Sequence, residues 1–389
     1  MLYCDEAHNI SEIVLDWVGV TITAKDQSDW DLPEFPELDS TSGGGILIHR
    51  GPDPIEIAIL WLEKAFAIMA VHCEKLEIAS SASAKQREAY TKADRLCRKL
   101  DNVLVSIDQC NDDWFVLSGK QARMYRGKPE SGFICRPLTA KHHAPIYFTG
   151  DFKTIMMSAT IGNPKAFAGE LGLKHWQFRA VPNQWSPEQR RVLLLDVPKL
   201  GHRSKELDYQ RQADAIADAI KQVNPAWSGF VHITRKREAG LLAERLARRG
   251  LQNRVWVPPG ADGRYVATDK QLAAWEDRKK QVPGSLCVAW SMWEGIDGLD
   301  EKICIVAKIP FATLSDHYEH ARLQYSGKMY LQRAAWQLEQ GLGRTRRGRE
   351  QDYDTVSEQR GLVAIADGNW KRVQKYLSQS MRESLVDHR

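Results

Sequence analysis

Short apolar runs bounded by polar or glycine residues recur along the chain, at residues 2–4, 153–157, 192–197, 229–234, 286–290, 303–308 and 362–366. Each has the length of a buried strand, and stretches with helical spacing separate nearly all of them. Strands that alternate with helices predict a parallel sheet covered on both faces, with ligands bound at the carboxyl ends of its strands. The first run opens at Leu2. Such a strand normally follows earlier βα units, which predicts that this fold begins upstream of Met1. Residues 27–54 are rich in Asp, Pro, Ser and Gly, include Gly43-Gly44-Gly45, and predict a connecting loop. From Ile55 to about Ser106 the period becomes helical. Ile55, Ile59, Leu62, Phe66, Met69 and Cys73 share one face, a polar stretch at 79–86 reads as a turn, and a second amphipathic run covers 94–105. No internal repeat or low-complexity tract is present.

Composition narrows the class. A chain of 389 residues has room for two or three domains, and 43% hydrophobic with 27% charged residues excludes a disordered or fibrous chain. No apolar run approaches the ~18 residues of a membrane span, and Asp5 and Glu6 stand where a signal peptide would be greasy, so a cytoplasmic protein is expected. Seven cysteines without a C-x-x-C pair suit reduced thiols. The net charge of +4 neither demands nor excludes a nucleic-acid partner.

The candidate chemistry sits at strand ends. Asp5-Glu6-Ala7-His8 follows the first run. There an aspartate can hold the magnesium of a nucleoside triphosphate and a glutamate can polarise the attacking water. Taken alone, the same residues fit a helix start equally well, complementing its dipole. Ser158-Ala159-Thr160 ends the second run, with hydroxyls able to relay hydrogen bonds. Trp293-Glu294-Gly295-Ile296-Asp297 follows the 286–290 run and sets two carboxylates around a glycine. Gln340, Gly343, Arg344 and Arg347 have the spacing Q-x-x-G-R-x-x-R, which on a helix puts both arginines on one face for a shared phosphate cluster. Arg235, Lys236 and Arg237 follow a strand and open a helix, a place where nucleic-acid phosphate can be gripped.

These motifs, in this order, resemble superfamily 2 helicases of the DinG and XPD type. DEAH resembles motif II, MMSAT motif III, GFVHITRKREAGLLAERL motif IV, SMWEGIDGLDEKICIVAKIPF motif V and QGLGRTRRG motif VI. The resemblance runs from Asp5 to about Trp370. It implies an α/β fold of RecA-like P-loop NTPase lobes, a partial first lobe and a complete second one, with a helical Arch-like insertion. The implied boundaries are 1–50 and 137–180 for the first lobe, 51–136 for the insertion and 181–389 for the second lobe. It further implies an ATP-dependent DNA helicase moving on single-stranded DNA, with ATP bound between lobes. Asp5 (through water to Mg2+), Glu6, Arg344 and Arg347 would be catalytic, and His8, Gly295, Asp297, Gln340 and Gly343 would line the nucleotide. Ser158, Ala159 and Thr160 would couple hydrolysis to the DNA path.

The sequence departs from the family in one respect that bears on chemistry. A phosphate-binding loop, G-x-x-x-x-G-K-[ST], is required to cradle the β- and γ-phosphates, and Gly119-Lys120-Gln121 and Gly327-Lys328-Met329 are the nearest strings. The chain alone is therefore expected to be inactive unless a missing amino-terminal portion or a partner polypeptide supplies the loop. The alternative is a non-catalytic DNA-binding or assembly subunit derived from a helicase. An iron-sulfur cluster is not expected in this chain, since the family's four cysteine ligands precede motif II. Cys73, Cys97, Cys110 and Cys135 lack ligand-like spacing and read as buried thiols. Trp290, inside an apolar run, and Trp293 read as core before base-stacking platforms. Arg346 and Arg349 are left to solvent or acidic partners. His142-His143 lacks a third ligand and is set aside as a metal site.

Overall fold

The computed structural model describes residues 1–36, 38, 52–76, 83–110, 113–125, 128–148, 153–158, 160–181, 186–188, 191–201, 203–260, 266–290, 301–343 and 361–387. The chain divides into two compact units. The first comprises Met1–Ala159, Pro164–Gln177 and Ala312–Tyr330, and the second Thr160–Asn163, Phe178–Phe311 and Leu331–Arg389.

In the first unit, β1 (Leu2–Cys4) is followed by a helix at Ile10–Val18 whose Ile10, Val14, Leu15 and Val18 are buried at helical spacing. β2 (Val20–Thr23) comes next, then helices at Pro52–Lys75 and Ala84–Gln109. Ser83 caps the second helix in a reciprocal box with Gln86. Leu62, Ala65 and Met69 of one helix and Leu100, Val103 and Ile107 of the other pack in one core with Val20, Ile22 and Phe133. Residues 114–137, within the span read as a helical insertion, form a hairpin. β3 (Trp114–Tyr125) pairs antiparallel with β4 (Lys128–Pro137), and β4 pairs antiparallel with β2. The aromatic and β-branched content of both strands explains this better than any helical period. β5 (Thr154–Met156) lies parallel to β1, Cys4 opposite Met156.

A helix at His317–Tyr325 also belongs to this unit, capped by Asp316, which accepts hydrogen bonds from the amides of Tyr318 and Glu319. Its Tyr318 packs with Phe115, Ile134 and Leu138 and donates its hydroxyl to Pro137 O at 2.6 Å. One turn on, Arg322 is only 3% exposed, with Glu12 2.9 Å and Glu170 3.6 Å away. Ser11 Oγ donates to the same Glu170. Burial pulls the Arg322 guanidinium down, but the Tyr318 hydroxyl, Glu12, Glu319 and Glu170 outweigh it and leave the cation held more firmly than usual.

The second unit is built on a seven-stranded sheet, parallel throughout. Its strands are β6 (Val192–Leu194), β7 (Gly229–His232), β8 (Val255–Trp256), β9 (Leu286–Ala289), β10 (Ile303–Val306), β11 (Leu362–Ile365) and β12 (Leu385–Asp387), in the order β12-β6-β11-β10-β7-β9-β8. Every run expected to be a strand in this half is one, each a residue or more shorter at its carboxyl end. Residues alternate between faces as strand geometry requires. Ile303 and Ile305 of β10, with Leu362 and Ala364 of β11, face Ile216, Ile220 and Leu242 from the helices Glu206–Lys221 and Lys236–Leu246. Val306, Val363 and Ile365 face Ala334, Leu338 and Leu342 of the helix Gly327–Leu342. Gly229 is obligatory at the head of β7, because a Cβ there would stand 1.9 Å from Ile303 O.

Candidate nucleotide and nucleic-acid site

The β1–β5 register brings two of the expected motifs to one edge. Met157 N donates to Cys4 O and Ala7 N to Met157 O, both at 2.8 Å, so the ends of the DEAH and SAT strands are stitched together by backbone. Glu6 adopts a left-handed conformation, φ +47°, which turns the chain sharply away from the strand. A non-glycine residue there costs on the order of 1 kcal/mol and is favoured mostly where geometry matters. Its amide donates to Asp5 Oδ1 at 2.8 Å, and both carboxylates are exposed. His8, by contrast, is buried, its Nδ1 2.9 Å from Ser158 Oγ and 3.3 Å from Glu6 Oε2. The imidazole thus lies between the Glu6 carboxylate of the first motif and the Ser158 hydroxyl of the second. One solvent-facing aspartate with free oxygen valence suits magnesium held through water and phosphate oxygens. Among the described residues no group of three or more His, Cys, Asp or Glu is poised to hold a metal by itself.

The SAT segment is divided. Ser158 lies in the first unit and Thr160 in the second, while Ala159 is outside the described residues. Thr160 Oγ1 accepts from Gln340 Nε2 at 3.4 Å, and Ile161 O accepts from Trp336 Nε1 at 2.7 Å and from Gln332 Nε2 at 3.5 Å. Gln332, Trp336 and Gln340 are four residues apart and form one stripe of their helix. Gly162, at φ +67°, completes the dock: a Cβ would meet Gln332 Nε2 at 2.7 Å and Tyr376 O at 2.8 Å. Sequence reasoning found Gln340 but missed Gln332 and Trp336, although their spacing from Gln340 was the available signal.

Gly343 directly follows this helix, and Arg344 and Arg347 lie outside the described residues, as do Trp293, Gly295 and Asp297. Arg235 and Arg237 are exposed at the start of the helix Lys236–Leu246, while half-buried Lys236 places Nζ 5.7 Å over the Trp290 ring. Trp290 itself packs against the core, as expected. Asp367, just past β11, was also missed. Its Oδ1 accepts from Asn369 N at 2.9 Å and Leu200 N at 3.3 Å, and its Oδ2 accepts from Ile309 N at 3.0 Å. One buried carboxylate therefore fixes the loops leaving β10 and β11, although burial raises its pKa against those donors.

The cysteines carry no disulfide; they are free thiols as expected, Cys135 buried but Cys73, Cys97 and Cys110 only half-buried, a correction to the buried thiols expected there. Each sits at a helix surface or end, where the core covers only one side. His143 is 1% exposed, packs edge-on against Trp114 at 5.5 Å, and is held down to about 4 by burial and then by His142.

Residues 229–384 match the family model described as the helicase C-terminal domain. That span runs from β7 to the last helix before β12 and includes Gln340, Gly343, Arg344 and Arg347. Among solved structures, an XPD in the apo form is similar at a TM-score of 0.51 and 10% identity, covering 100% of this chain and 77% of that one. A second XPD helicase aligns at 0.49 and 11%, covering 100% and 68%. No curated protein sequence matches the chain. Residues 229–384 thus match a helicase C-terminal domain and supply five of the seven strands of the parallel sheet. The chain as a whole is similar in fold to the XPD structure in the apo form. Among the described residues no helix is long and apolar enough to cross a membrane.

Proposed function

We propose that the chain is the carboxyl-terminal portion of an ATP-driven motor that translocates on single-stranded DNA. The helicase C-terminal domain match over residues 229–384 carries this reading, and the bridge from Glu6 through His8 to Ser158 supports it. Asp5 would hold magnesium, which would neutralise phosphate charge. Glu6 orients the attacking water and takes its proton. Arg344 and Arg347 neutralise charge that develops on the transferred phosphoryl group. His8, whose Nδ1 faces both Ser158 Oγ and the Glu6 carboxylate, passes the state of the phosphate to the SAT segment, and Arg235, Lys236 and Arg237 hold DNA phosphate. Gly295, Asp297, Gln340 and Gly343 line the nucleotide.

Phosphoryl transfer depends on positioning, and the sequence contains no G-x-x-x-x-G-K-[ST] cradle. A polypeptide bearing that loop completes the site. In such a reconstituted enzyme Arg347→Ala should lower turnover by about 10³-fold or more while DNA affinity holds. Turnover near that of the unmodified enzyme would remove Arg347 from the site. The absent cradle also favours a second reading, a DNA-binding or assembly subunit without catalysis. Reconstitution that never yields turnover, with DNA binding retained, would select it.

A further inference from the structure

Downstream of Asp367 the second unit carries a feature that none of the helicase motifs uses. Lys371, Arg372, Gln374, Lys375 and Arg382 line an open surface depression of about 440 Å³. They come from the short helix Trp370–Val373, the turn at Gln374–Tyr376 and the helix Gln379–Glu383. All four cations are exposed, and none lies within ion-pair distance of a described carboxylate. The lining contains no acidic residue, and the nearby Glu383 is engaged by Gln379 at 2.8 Å. Four positive charges around one depression, of which Arg382 feels a nearby carboxylate, that of Glu339, repel one another and are relieved by an anion.

The base of the depression is firm. Val373, Tyr376, Leu377 and Met381, which alternate with the cations in sequence, are buried in the core formed with β6 and β11. Three of the cations are also held over rings: Lys371 over Trp370 at 6.0 Å, Arg372 over Phe311 at 5.0 Å and Lys375 over Tyr376 at 5.1 Å. Such contacts pre-orient long side chains and reduce the entropy lost on binding. Tyr376 is buried and the lining itself contains no aromatic residue, so the depression offers charge rather than base stacking.

We propose that this basic depression is a phosphate-backbone site for single-stranded DNA, a grip separate from the Arg235–Arg237 helix start. The choice of DNA over another polyanion rests on the motor reading above; the anion preference rests on the depression alone. An open depression rather than a closed pocket suits a polymer that passes through.

The test uses the full chain with no nucleotide present. Binding of a fluorescent oligo-dT strand is measured across a salt series for the unmodified protein and for K371Q/R372Q/K375Q. A control, K221Q/K270Q/K280Q, removes the same charge from exposed or half-exposed positions of the same unit outside the depression, and K371R/K375R keeps the charge. The depression triple should weaken binding at low salt by tenfold or more and flatten the slope of log affinity against log salt by about 2, the loss of three single-strand phosphate contacts. The control should change affinity less than twofold, and K371R/K375R should bind like the unmodified chain, which separates lost charge from lost fold. Equal losses in the triple and the control, or a triple that binds DNA normally, would overturn the proposal. A triple that binds DNA normally but loses poly-glutamate would place an acidic protein there instead. Failure of ATP turnover in every mixture would sink the motor reading and leave this result unaffected.

Discussion

The Nδ1 of His8 lies 2.9 Å from Ser158 Oγ, although 150 positions separate the two residues in sequence. The contact exists because β1 and β5 are parallel neighbours in register, so the DEAH and SAT strands end side by side. Ser158→Ala removes the hydroxyl without touching the exposed carboxylates. It should cost about 1 kcal/mol of stability. In a loop-supplemented enzyme it should lower DNA movement per ATP more than ATP turnover itself. Parallel losses in both rates would argue that Ser158 does not couple them.

Trp336 Nε1 donates to Ile161 O at 2.7 Å and fastens the segment after SAT to the helix that leads to Arg344. Trp336→Phe keeps most of the ring and leaves that carbonyl only the long 3.5 Å bond from Gln332 Nε2. Chemical denaturation should show a loss of roughly 1–2 kcal/mol, with the denaturant slope unchanged. A variant as stable as the parent would mean that the carbonyl finds water.

Arg322 is the buried hub of the first unit, with Glu12 and Glu170 on it and Ser11 tying Glu170 in turn. Arg322→Ala leaves buried carboxylate without its counter-charge and should destabilise by about 3–5 kcal/mol. Adding Glu170→Gln to it should recover part of the loss, read as non-additivity in a double-mutant cycle. Strict additivity would show that the two do not interact.

Glu339 is 4% exposed beneath Ser378, whose amide donates to it, and burial pushes its pKa up to about 7 against that bond and Arg382. The native state therefore keeps its proton over a range in which the unfolded chain, near the ordinary glutamate value, has lost it. Stability from this group is complete below the unfolded pKa and declines as pH rises to about 7. Glu339→Gln should match the parent at pH ~5 and exceed it by on the order of 2 kcal/mol at pH ~8 in thermal or urea unfolding. The same gain at both pH values would exclude titration of Glu339 as its cause.

The strands of the second unit were legible because fully buried parallel strands read as short continuous apolar runs, as in Ile303–Val306 and Leu362–Ile365. Motif order carried the carboxylates and Gln340 to the right strand and helix ends, since local chain chemistry determines those. The β3–β4 hairpin was not seen. Its Lys-, Arg- and Gly-bearing middle breaks the alternation that marks a strand, and its pairing with β2 joins segments more than a hundred residues apart. Arg322 and Asp367 were illegible for a related reason. Their partners, Glu12 and Leu200, come from distant sequence, and no periodicity announces a buried ion pair or a loop-fixing carboxylate. The basic depression was hidden because Lys371, Arg372, Lys375 and Arg382 alternate with core residues and blend into a balanced total charge.

The most direct test of the central claim is DNA-stimulated ATP turnover of the purified chain, alone and mixed with a polypeptide that carries a G-x-x-x-x-G-K-[ST] loop of the DinG/XPD type. The account predicts no useful turnover by the chain alone, turnover in the mixture, and its loss with Glu6→Gln. Robust turnover by the chain alone, or turnover in the mixture that ignores Glu6→Gln, would contradict it.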